Sequence, residues 1–267
     1  VPLTRAQVLC PETLKQSDVA VVHVHWPTTI FPVVQHQIHR LFPFNYLAAW
    51  QAIKQIDAWA QSIEENQIPL VWQIHDLGSH HLLKAGPLAA ADEHLHRTLY
   101  RLSQAVVIHE PSCLKAITDL YGAPPLFAVA PLGDYTRIHG AIRAKEEARR
   151  SLGLGEWKSV LAYVGTARRN RNPAEVARAF LDIAGPKDCL LIAGQAVARF
   201  VKPGRDPRVR VLDGLLPDPT LRDIFCASDF VINHAQRYLT SAVVRAAISY
   251  GVPVITYPYG ASLDMAR

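Results

Sequence analysis

Short apolar runs that alternate with amphipathic stretches constrain the fold of this chain more than any other feature. Ala105–His109, Ser159–Val164 and Cys189–Ala193 are apolar at nearly every position and are bounded by loop residues. Strands have this composition when helices cover both faces of a parallel sheet, because neither face then meets water. The order strand, helix, strand, helix therefore predicts an α/β fold.

The alternation occurs twice, which predicts two Rossmann-like domains in tandem. Residues 1–135 form the first, residues 136–157 are a linker with the first helix of the second, and residues 158–267 complete the second. No opening strand is evident before Val19, and the sequence stops at Arg267 directly after a predicted strand. The pattern therefore fits a core that is truncated at both ends.

The net charge is compatible with several kinds of binding partner, whereas the cysteine content favours the cytoplasm. The 28 Lys and Arg residues against 23 Asp and Glu give a formal net charge of +5, which suits an anionic ligand, an anionic membrane surface or nucleic acid. The 4 cysteines lack CxxC spacing, which favours a reducing, cytoplasmic environment. No apolar run reaches the roughly 18 to 20 residues of a membrane-spanning helix, and no signal peptide is evident, so we expect neither insertion nor export.

Histidines concentrate at the predicted strand ends of the first half. Ten of the 12 histidines fall within the first 109 residues. Open α/β sheets bind ligands at the carboxyl ends of their strands, so this clustering predicts a site. His75 and Asp76, after the second strand, could supply a general base oriented by a carboxylate. A zinc cluster is the alternative, although no HExxH spacing is present. For His94 and His96, in a predicted helix, an ordinary surface or core position is the simpler interpretation.

An arginine-rich loop follows the first strand of the second half. It contains Gly165, Arg168, Arg169 and Arg171 and leads into a helix that starts at Pro173. Guanidinium groups and the free N–H groups of a helix N-terminus both favour phosphate. A solvated basic loop is the alternative. Neither a Walker A loop nor a GxGxxG motif is present, so a dinucleotide fold is unsupported.

Thr240 and Ser241 stand before the next predicted helix, at the position of an N-cap. The N–H groups behind them would form a second anion site. Alone, a Ser or Thr at this position indicates only a cap. Together with the arginine-rich loop, it predicts two anion sites in one domain, which suits a diphosphate.

Several motifs, in one order, carry a family resemblance. The chain resembles GT-B-fold glycosyltransferases, in particular bacterial GDP-mannose:glycolipid 4-β-D-mannosyltransferases of exopolysaccharide biosynthesis. The similar segments are His23–Pro27 (HxHWP), His75–His80 (HNxxPH), Pro131–Tyr135 (PHGxY), Gly165–Asn172 (GxIRxYKG), Leu190–Gly194 (LLIAG) and Leu239–Ile255 (LTSGSLxxALSYGxPVI). Together they span the chain from Val19 to Gly260.

The chain also departs from the family pattern. Leu132 replaces the His of PHG, Ala242 replaces the Gly after the Ser of LTSG, and Ala246 stands where many GT-B relatives carry a donor-binding Glu. Arg171 replaces a Lys, which keeps the cation but changes its geometry. These departures leave the donor open. They also favour the alternative of a non-catalytic nucleotide- or carbohydrate-binding protein.

The resemblance implies two domains facing a cleft and transfer of a sugar, such as mannose, from a nucleotide diphosphate to a saccharide or lipid-linked saccharide. The implied donor-binding residues are Gly165, Arg168, Arg171, Thr240 and Ser241. The implied acceptor-side residues are His23, His25, Trp26 and His80. In an inverting reaction His75 or Asp76 would be the base, whereas a retaining reaction needs none.

Metal independence follows from the same resemblance. No DxD motif is present. Arg168 and Arg171 would therefore stabilise the leaving diphosphate without a metal, and the nucleotide sugar would be the only small molecule required.

A segment of the first half suits a membrane surface. Enzymes of this kind act at the cytoplasmic face of the inner membrane, and here Ile30–Val34 and Leu41–Leu47 place apolar and aromatic residues beside Arg40. Such a mixture predicts shallow contact with anionic lipid. Packing in the core of the first domain is the alternative.

The sequence gives less support to two other classes of protein. An epimerase or phosphorylase would share the two-domain cleft, but no lysine lies at a strand end where a phosphorylase would hold pyridoxal phosphate. A nucleic-acid-binding protein would suit the pI of about 9.1, yet no RNA- or DNA-binding motif is recognisable.

Overall fold

Two α/β units make up the protein. The computed structural model describes residues 20–31, 42–78, 86–168, 171–235 and 238–265. The chain divides into the units Val1–Pro131 and Leu132–Arg267. The division falls slightly before residue 135, where the sequence placed the end of the first domain.

The first unit contains a four-stranded parallel sheet in the order β1-β2-β3-β4. Its strands are β1 (Val22–Val24), β2 (Leu70–Gln73), β3 (Ser103–Ile108) and β4 (Phe127–Val129). Its helices are α1 (Pro27–Ile30), α2 (Phe42–Glu65), α3 (Pro87–Leu102) and α4 (Cys113–Tyr121). Since all four strands are parallel, the loops after β1, β2 and β3 emerge at one edge.

The core of the first unit forms where α2 packs on α3. Ile56 and Ile63 lie two turns apart on α2, and both are fully buried, as are Leu95 and Leu99 one turn apart on α3. This helical spacing places apolar side chains on one face of each helix. Burying each of them contributes about 1.5 to 3 kcal/mol, which holds the helices against the sheet.

The second unit contains a five-stranded parallel sheet in the order β7-β6-β5-β8-β9. Its strands are β5 (Ser159–Val164), β6 (Asp188–Gly194), β7 (Val209–Asp213), β8 (Phe230–Asn233) and β9 (Val254–Thr256). Its helices are α5 (Thr136–His139), α6 (Lys145–Ser151), α7 (Pro173–Ile183), α8 (Asp218–Ala227), α9 (Ala242–Ser249) and α10 (Ser262–Met265), with a 3₁₀ turn at Val197–Arg199.

The strand order of the second unit creates a topological switch point. From the central β5 the chain moves outward to β6 and β7, then returns to place β8 on the opposite side of β5. The loops that follow β5 and β8 therefore lead away to opposite sides. A crevice opens between such loops at the carboxyl edge, where ligands of open α/β sheets bind.

The segment predicted to be a linker is folded onto the second unit. Both α5 and α6 pack against α8. Asp229, before β8, accepts hydrogen bonds from Lys145 Nζ (2.9 Å), Arg149 Nη2 (2.6 Å) and the Val160 N–H (2.8 Å). This carboxylate therefore joins α6 to β5 and to the start of β8.

None of the helices in the described ranges combines the length and the apolar character needed to cross a bilayer.

A backbone contact between the ends of β5 and β6 leaves no room for a side chain at Gly194. Its φ is +137°, and a Cβ built there would lie 2.1 Å from the Gly165 carbonyl oxygen. We expect Gly194→Ala to lower the free energy of unfolding by about 3 kcal/mol or more, because left-handed strain and the backbone clash add. Urea unfolding followed by circular dichroism measures this.

Gly133→Ala is the matched control, because its added Cβ would meet no atom within 4 Å and its φ is not in the left-handed region. Equal stability of the two variants would contradict the close contact.

Candidate functional site

Three glycines leave bare backbone at the carboxyl edge of the second sheet. Gly165 follows β5, Gly194 ends β6 and Gly214 follows β7. The Gly165 N–H donates to Ala193 O (2.9 Å), and the Gly214 N–H donates to Gly194 O (3.0 Å). Sequence analysis selected only Gly165 for the site. Gly194 and Gly214 could have been found from the sequence, because each also stands at the end of a predicted strand.

Arg168 and Arg171, the described arginines of the arginine loop (residues 165–172), lie at this edge. Arg168 and Arg171 exchange backbone hydrogen bonds of 3.3 and 3.0 Å, and the Tyr163 hydroxyl donates to Arg171 O (2.8 Å). Burial raises the pKa of Tyr163 to about 12, and the charges of Arg171 and Arg168 oppose this rise. Both arginines are half-buried beside β5, whereas Arg169 lies outside the described residues.

The helix after the arginine loop starts as predicted. Asn172 caps α7, since its side chain accepts from the Ala174 N–H (2.9 Å), and Pro173 fits the first helical position. Across the switch point, His234 after β8 bonds through Nε2 to Glu175 Oε2 (2.8 Å). This bond lowers the pKa of Glu175 and ties the loop after β8 to the first turn of α7.

The N-terminus of α9 lies beside the arginine loop. Ser241 is its N-cap, with Oγ accepting from the Val244 N–H (3.4 Å). A Cβ built at Gly165 would lie 3.9 Å from Val243 Cγ2, so the glycine turn and the first turn of α9 face each other. The structure thus brings the two predicted anion sites to one edge. Thr240 precedes the cap and is half-buried.

A second tight glycine contact supports the approach to α9. Gly260 has φ of +56°, and a Cβ there would lie 2.4 Å from Tyr238 O and 2.7 Å from Leu239 O. The Ala261 N–H also donates to Leu239 O (2.9 Å). The loop after β9 therefore fixes the segment that leads into Thr240.

Arg245 is a cation at this edge that sequence analysis did not select. It lies on α9, one turn after Ser241, and its Nε is buried without a hydrogen-bond partner among the described residues. Ala246, at the position where the sequence resemblance implied a Glu, is buried in the core. The sequence could have pointed to Arg245, because this arginine immediately precedes Ala246.

The loops after the first three strands of the first unit bring four histidines together, namely His23, His25, His75 and His109, which we call the histidine cluster. The ring nitrogens of three of them bond in sequence. His25 Nδ1 lies 3.2 Å from His75 Nε2, His75 Nδ1 lies 3.0 Å from His109 Nε2, and His109 Nδ1 lies 2.9 Å from Ala130 O. The three rings therefore form a chain rather than converging on one point.

Two further rings cover this chain. The Trp26 ring stacks on His75 at 4.5 Å with an interplanar angle of 11°, and the His23 ring lies 4.3 Å from that of His25. Trp26 is 46% exposed although it is a large aromatic residue. The predicted residues His23, His25, Trp26 and His75 are thus one contiguous group.

Burial keeps the inner members of the histidine cluster neutral. Burial, and after it the charges of His109, His25 and His23, lower the pKa of His75 to about 4. Burial also lowers the pKa of His109. The hydrogen bond to Ala130 O has the opposite, smaller effect, because it favours the protonated ring. At neutral pH both rings are therefore uncharged.

Asp76 does not orient His75 as the sequence suggested, because both ring nitrogens of His75 are bonded to other histidines. The Asp76 charge instead adds to the effect of burial in raising the pKa of Tyr121. His80 lies outside the described residues.

The described part of the chain was also searched for clusters of metal-ligating side chains. Within the described ranges, no group of three or more His, Cys, Asp or Glu residues is arranged to hold a metal ion. His94 pairs with Asp57 on the surface (2.7 Å), and His96 is buried with Nδ1 donating to Asp92 O (2.7 Å). The simpler interpretation of these two histidines is confirmed.

Comparison with known proteins identifies the fold. No protein-family model matches the chain. It is similar to HepE from Anabaena in complex with UDP-glucose (TM-score 0.63, 17% identity, 100% of this chain and 80% of that chain). It is also similar to sucrose-phosphate synthase from Thermosynechococcus elongatus (TM-score 0.62, 17% identity, 94% of this chain and 60% of that chain). The fold is that of GT-B glycosyltransferases. The predicted fold class is confirmed.

One curated relative agrees with this assignment. The D-inositol 3-phosphate glycosyltransferase of Rhodococcus erythropolis is 27% identical, over 72% of this chain and 48% of the relative. The chain thus spans about half the length of that relative. The likeness to glycosyltransferases is confirmed at the level of the GT-B type, and the donor sugar and the pathway stay predictions.

The depressed pKa of His75 predicts a pH-dependent stability. Between pH 6.5 and about 4 the unfolded chain binds a proton that folded His75 does not, so the free energy of unfolding falls as the pH is lowered through this window. We expect His75→Gln to reduce this dependence. Urea unfolding followed by tryptophan fluorescence measures it, since four of the 5 tryptophans lie in the first unit.

His94→Gln is the control, because His94 lies outside the histidine cluster. An unchanged pH dependence in His75→Gln would show that His75 is not the buried neutral group.

Proposed function

We propose that this chain is a glycosyltransferase that moves a sugar from a nucleoside diphosphate to a hydroxyl of a saccharide or lipid-linked saccharide, in the cytoplasm. The observation that carries the proposal is the meeting of the arginine loop and the α9 N-terminus at the switch point of a GT-B-type sheet. Cations and a capped helix N-terminus on one edge suit a diphosphate. The curated relative and HepE, by their names and ligands, support this class of reaction.

The donor phosphates would bind over Gly165, where no side chain intervenes, with Arg168 and Arg171 on one side and the N–H groups behind Thr240 and Ser241 on the other. Negative charge develops on the diphosphate as the bond to the sugar breaks. Preorganised cations stabilise that charge more in the transition state than in the bound donor, which accelerates the transfer.

The donor we propose is GDP-mannose, for assembly of an exopolysaccharide. The motifs between His23 and Ile255 that resemble the mannosyltransferases support it. UDP-glucose is the second candidate, because HepE was solved with it. Thermal stabilisation by a panel of GDP-, UDP- and ADP-sugars distinguishes these donors.

The first unit would receive the acceptor at the histidine cluster. Trp26 offers an exposed ring face beside it, and sugars pack their apolar C–H faces on aromatic rings. In an inverting reaction a neutral histidine of this cluster would take the acceptor proton.

A non-catalytic binding protein is the alternative, favoured by the buried Ala246 in place of a donor-binding Glu. Release of nucleoside diphosphate from a nucleotide sugar separates the two. A binding protein would be stabilised by the donor and would release none.

The proposed partners include an anionic membrane surface. Tyr46, Leu47 and Trp50 on α2 are about half exposed, and Lys54 Nζ lies 3.9 Å from the Trp50 ring centroid. Aromatic residues with a cation suit the headgroup layer. The side chains of Phe42 and Phe44, in the segment that first suggested this contact, lie outside the described residues.

Removal of one arginine should weaken donor binding. A hydrogen bond to a charged group contributes about 1.5 to 3 kcal/mol, so Arg168→Ala should reduce the affinity for GDP or another nucleoside diphosphate at least tenfold. Isothermal titration calorimetry measures it. Arg178→Ala, on the exposed face of α7, should bind as the wild type does, and equal affinities for all three proteins would exclude the arginine loop as the phosphate site.

Activity should survive chelation of metals. The arginine loop supplies the positive charge that Mg²⁺ supplies elsewhere, so nucleoside diphosphate release should change less than twofold in excess EDTA. A loss of turnover that added Mg²⁺ restores would contradict this assignment.

The membrane proposal predicts binding to anionic vesicles. The protein should sediment with phosphatidylglycerol vesicles at low salt, and Leu47→Ser with Trp50→Ser should abolish this without lowering the melting temperature. Ile183→Ser removes an even more exposed apolar residue from the second unit and should have no effect. Equal sedimentation of wild type and double variant would reject the contact.

A further inference from the structure

We propose that a cavity beside α7 is a second ligand site, separate from the edge that we assign to phosphate, and that it takes a small amphipathic anion. The ligand class is a carboxylate joined to a short apolar chain. The cavity has a volume of about 230 Å³, and every residue that lines it belongs to the second unit. The inference is therefore independent of the proposed function.

A crossover without an α-helix leaves room for the cavity. The connections from β5 to β6 and from β7 to β8 contain α7 and α8. The connection from β6 to β7, residues 195–208, is described throughout and contains only the 3₁₀ turn Val197–Arg199. Parallel strands are usually joined by a helix that covers one face of the sheet. Here the side of α7 that faces this connection stays partly uncovered, and the cavity lies there.

The walls of the cavity are largely apolar. Ala177 and Val209 line it and belong to the core, at 7% and 8% exposure. Leu181, Phe200 and Val201 also line it and are less well covered, with Leu181 on α7 reaching 36% exposure. Water still reaches this apolar surface, so a ligand with an apolar chain gains free energy by covering it.

Three cations line the same cavity. Arg178 comes from α7, whereas Lys202 and Arg205 come from the connection between β6 and β7, and all three side chains are exposed. None of them forms a hydrogen bond or an ion pair with another residue in the described part of the chain. The charge of Arg178 contributes to the lowered pKa of Glu175, but the Glu175 carboxylate bonds to His234. These cations are therefore available to an anionic ligand.

The acidic residue of the lining, Asp206, is already paired. Its carboxylate accepts hydrogen bonds from Arg208 at Nε (3.1 Å), Nη2 (2.9 Å) and the backbone N–H (2.9 Å). These bonds lower the pKa of Asp206, and Arg208 balances its charge. The cavity is consequently positive, and an anion is the complementary ligand.

The volume limits the size of the ligand. About 230 Å³ holds roughly seven or eight groups of the size of a water molecule or a methylene, at about 30 Å³ each. Sites for drug-sized ligands are larger, at roughly 300 to 1,000 Å³. Octanoate matches both properties, because its chain fills the apolar space and its carboxylate can lie among the cations.

The cavity extends away from the arginine loop. It reaches from Ala174, in the first turn of α7, to Leu181 near the end of this helix and to Val209 at the start of β7. Since α7 leads from the carboxyl end of β5 to the amino end of β6, its second half lies towards the amino edge of the sheet. A ligand in the cavity would therefore lie along α7 and not over Gly165.

Alanine methyl groups report on the cavity directly. In the full chain with ¹³C-methyl-labelled alanine, octanoate should shift the NMR signals of Ala174 and Ala177, which line the cavity, and leave that of Ala246 unchanged. Ala174→Ser and Ala177→Ser assign the two signals. The absence of a shift at millimolar octanoate would overturn the proposal.

A ligand series separates the two halves of the proposed chemistry. Hexanoate lacks two methylenes and should bind about tenfold more weakly than octanoate, since each buried methylene contributes roughly three- to fourfold. Acetate should cause no shift. 1-Octanol keeps the chain without the charge and should bind more weakly than octanoate. Equal affinities for octanoate and 1-octanol would reject the anion assignment.

The lining is tested by variants that leave the core intact. Lys202→Ala with Arg205→Ala should weaken octanoate binding about fivefold, because exposed ion pairs contribute modestly, and should not change binding of 1-octanol. Lys187→Ala removes an exposed cation that does not line the cavity and should match the wild type. Ala174→Leu fills the cavity and should abolish binding of both ligands at an unchanged melting temperature. Wild-type affinity for octanoate in the double variant and in Ala174→Leu would overturn the site.

Competition with a nucleotide shows whether the two sites are separate. Saturating GDP should leave the affinity for octanoate unchanged, and Arg168→Ala should bind octanoate as the wild type does. Displacement of octanoate by GDP would make the cavity part of the donor site and overturn the proposal. If octanoate shifts Ala174 and Ala177 while no nucleotide binds, this second site stands and the proposed function fails alone.

Discussion

Parallel strand pairing is the constraint on which both candidate sites depend. Since β1, β2 and β3 run in one direction, the residues that follow them meet at one edge, although about 50 residues separate His25 from His75 and a further 34 separate His75 from His109. The same constraint places Gly165 beside Gly194 in the second unit. Reversing any of these strands would move its loop to the other edge and disperse the side chains.

The two sites use burial in opposite ways. The arginine loop holds its cations half-buried beside bare backbone, where an anion would meet positive charge that water screens only partly. The histidine cluster instead disfavours charge, because burial lowers the pKa of His75 and His109, and every ring nitrogen of these two residues has a hydrogen-bond partner. An anion site needs fixed charge, whereas a base needs an unprotonated nitrogen. Each environment therefore suits the part of the transfer that we propose for it.

Much of the fold could be predicted from local sequence, and most of the site geometry could not. The bounds of β5 and α7 are those expected, since an apolar run and the Asn172-Pro173 cap mark them. The helix predicted around His94 and His96 begins as early as Pro87, because proline fits the first helical position after Gly86. The partners of His75 depend on register between distant strands, so an adjacent Asp76 suggested a pairing that the backbone does not make.

The structure of the second unit shows the surroundings of one departure from the family pattern, the Ala at position 246. Ala246 is packed in the core, so the lost Glu leaves no polar group behind, while Arg245, one residue earlier, brings a guanidinium whose Nε has no partner in the described part of the chain. A buried guanidinium nitrogen without a hydrogen-bond partner is costly, and an anion that accepts from it would remove that cost. The charge lies one turn from the Ser241 cap, on the helix that faces Gly165. Arg245 therefore adds a positive charge to the helix whose N-terminus we propose to bind phosphate.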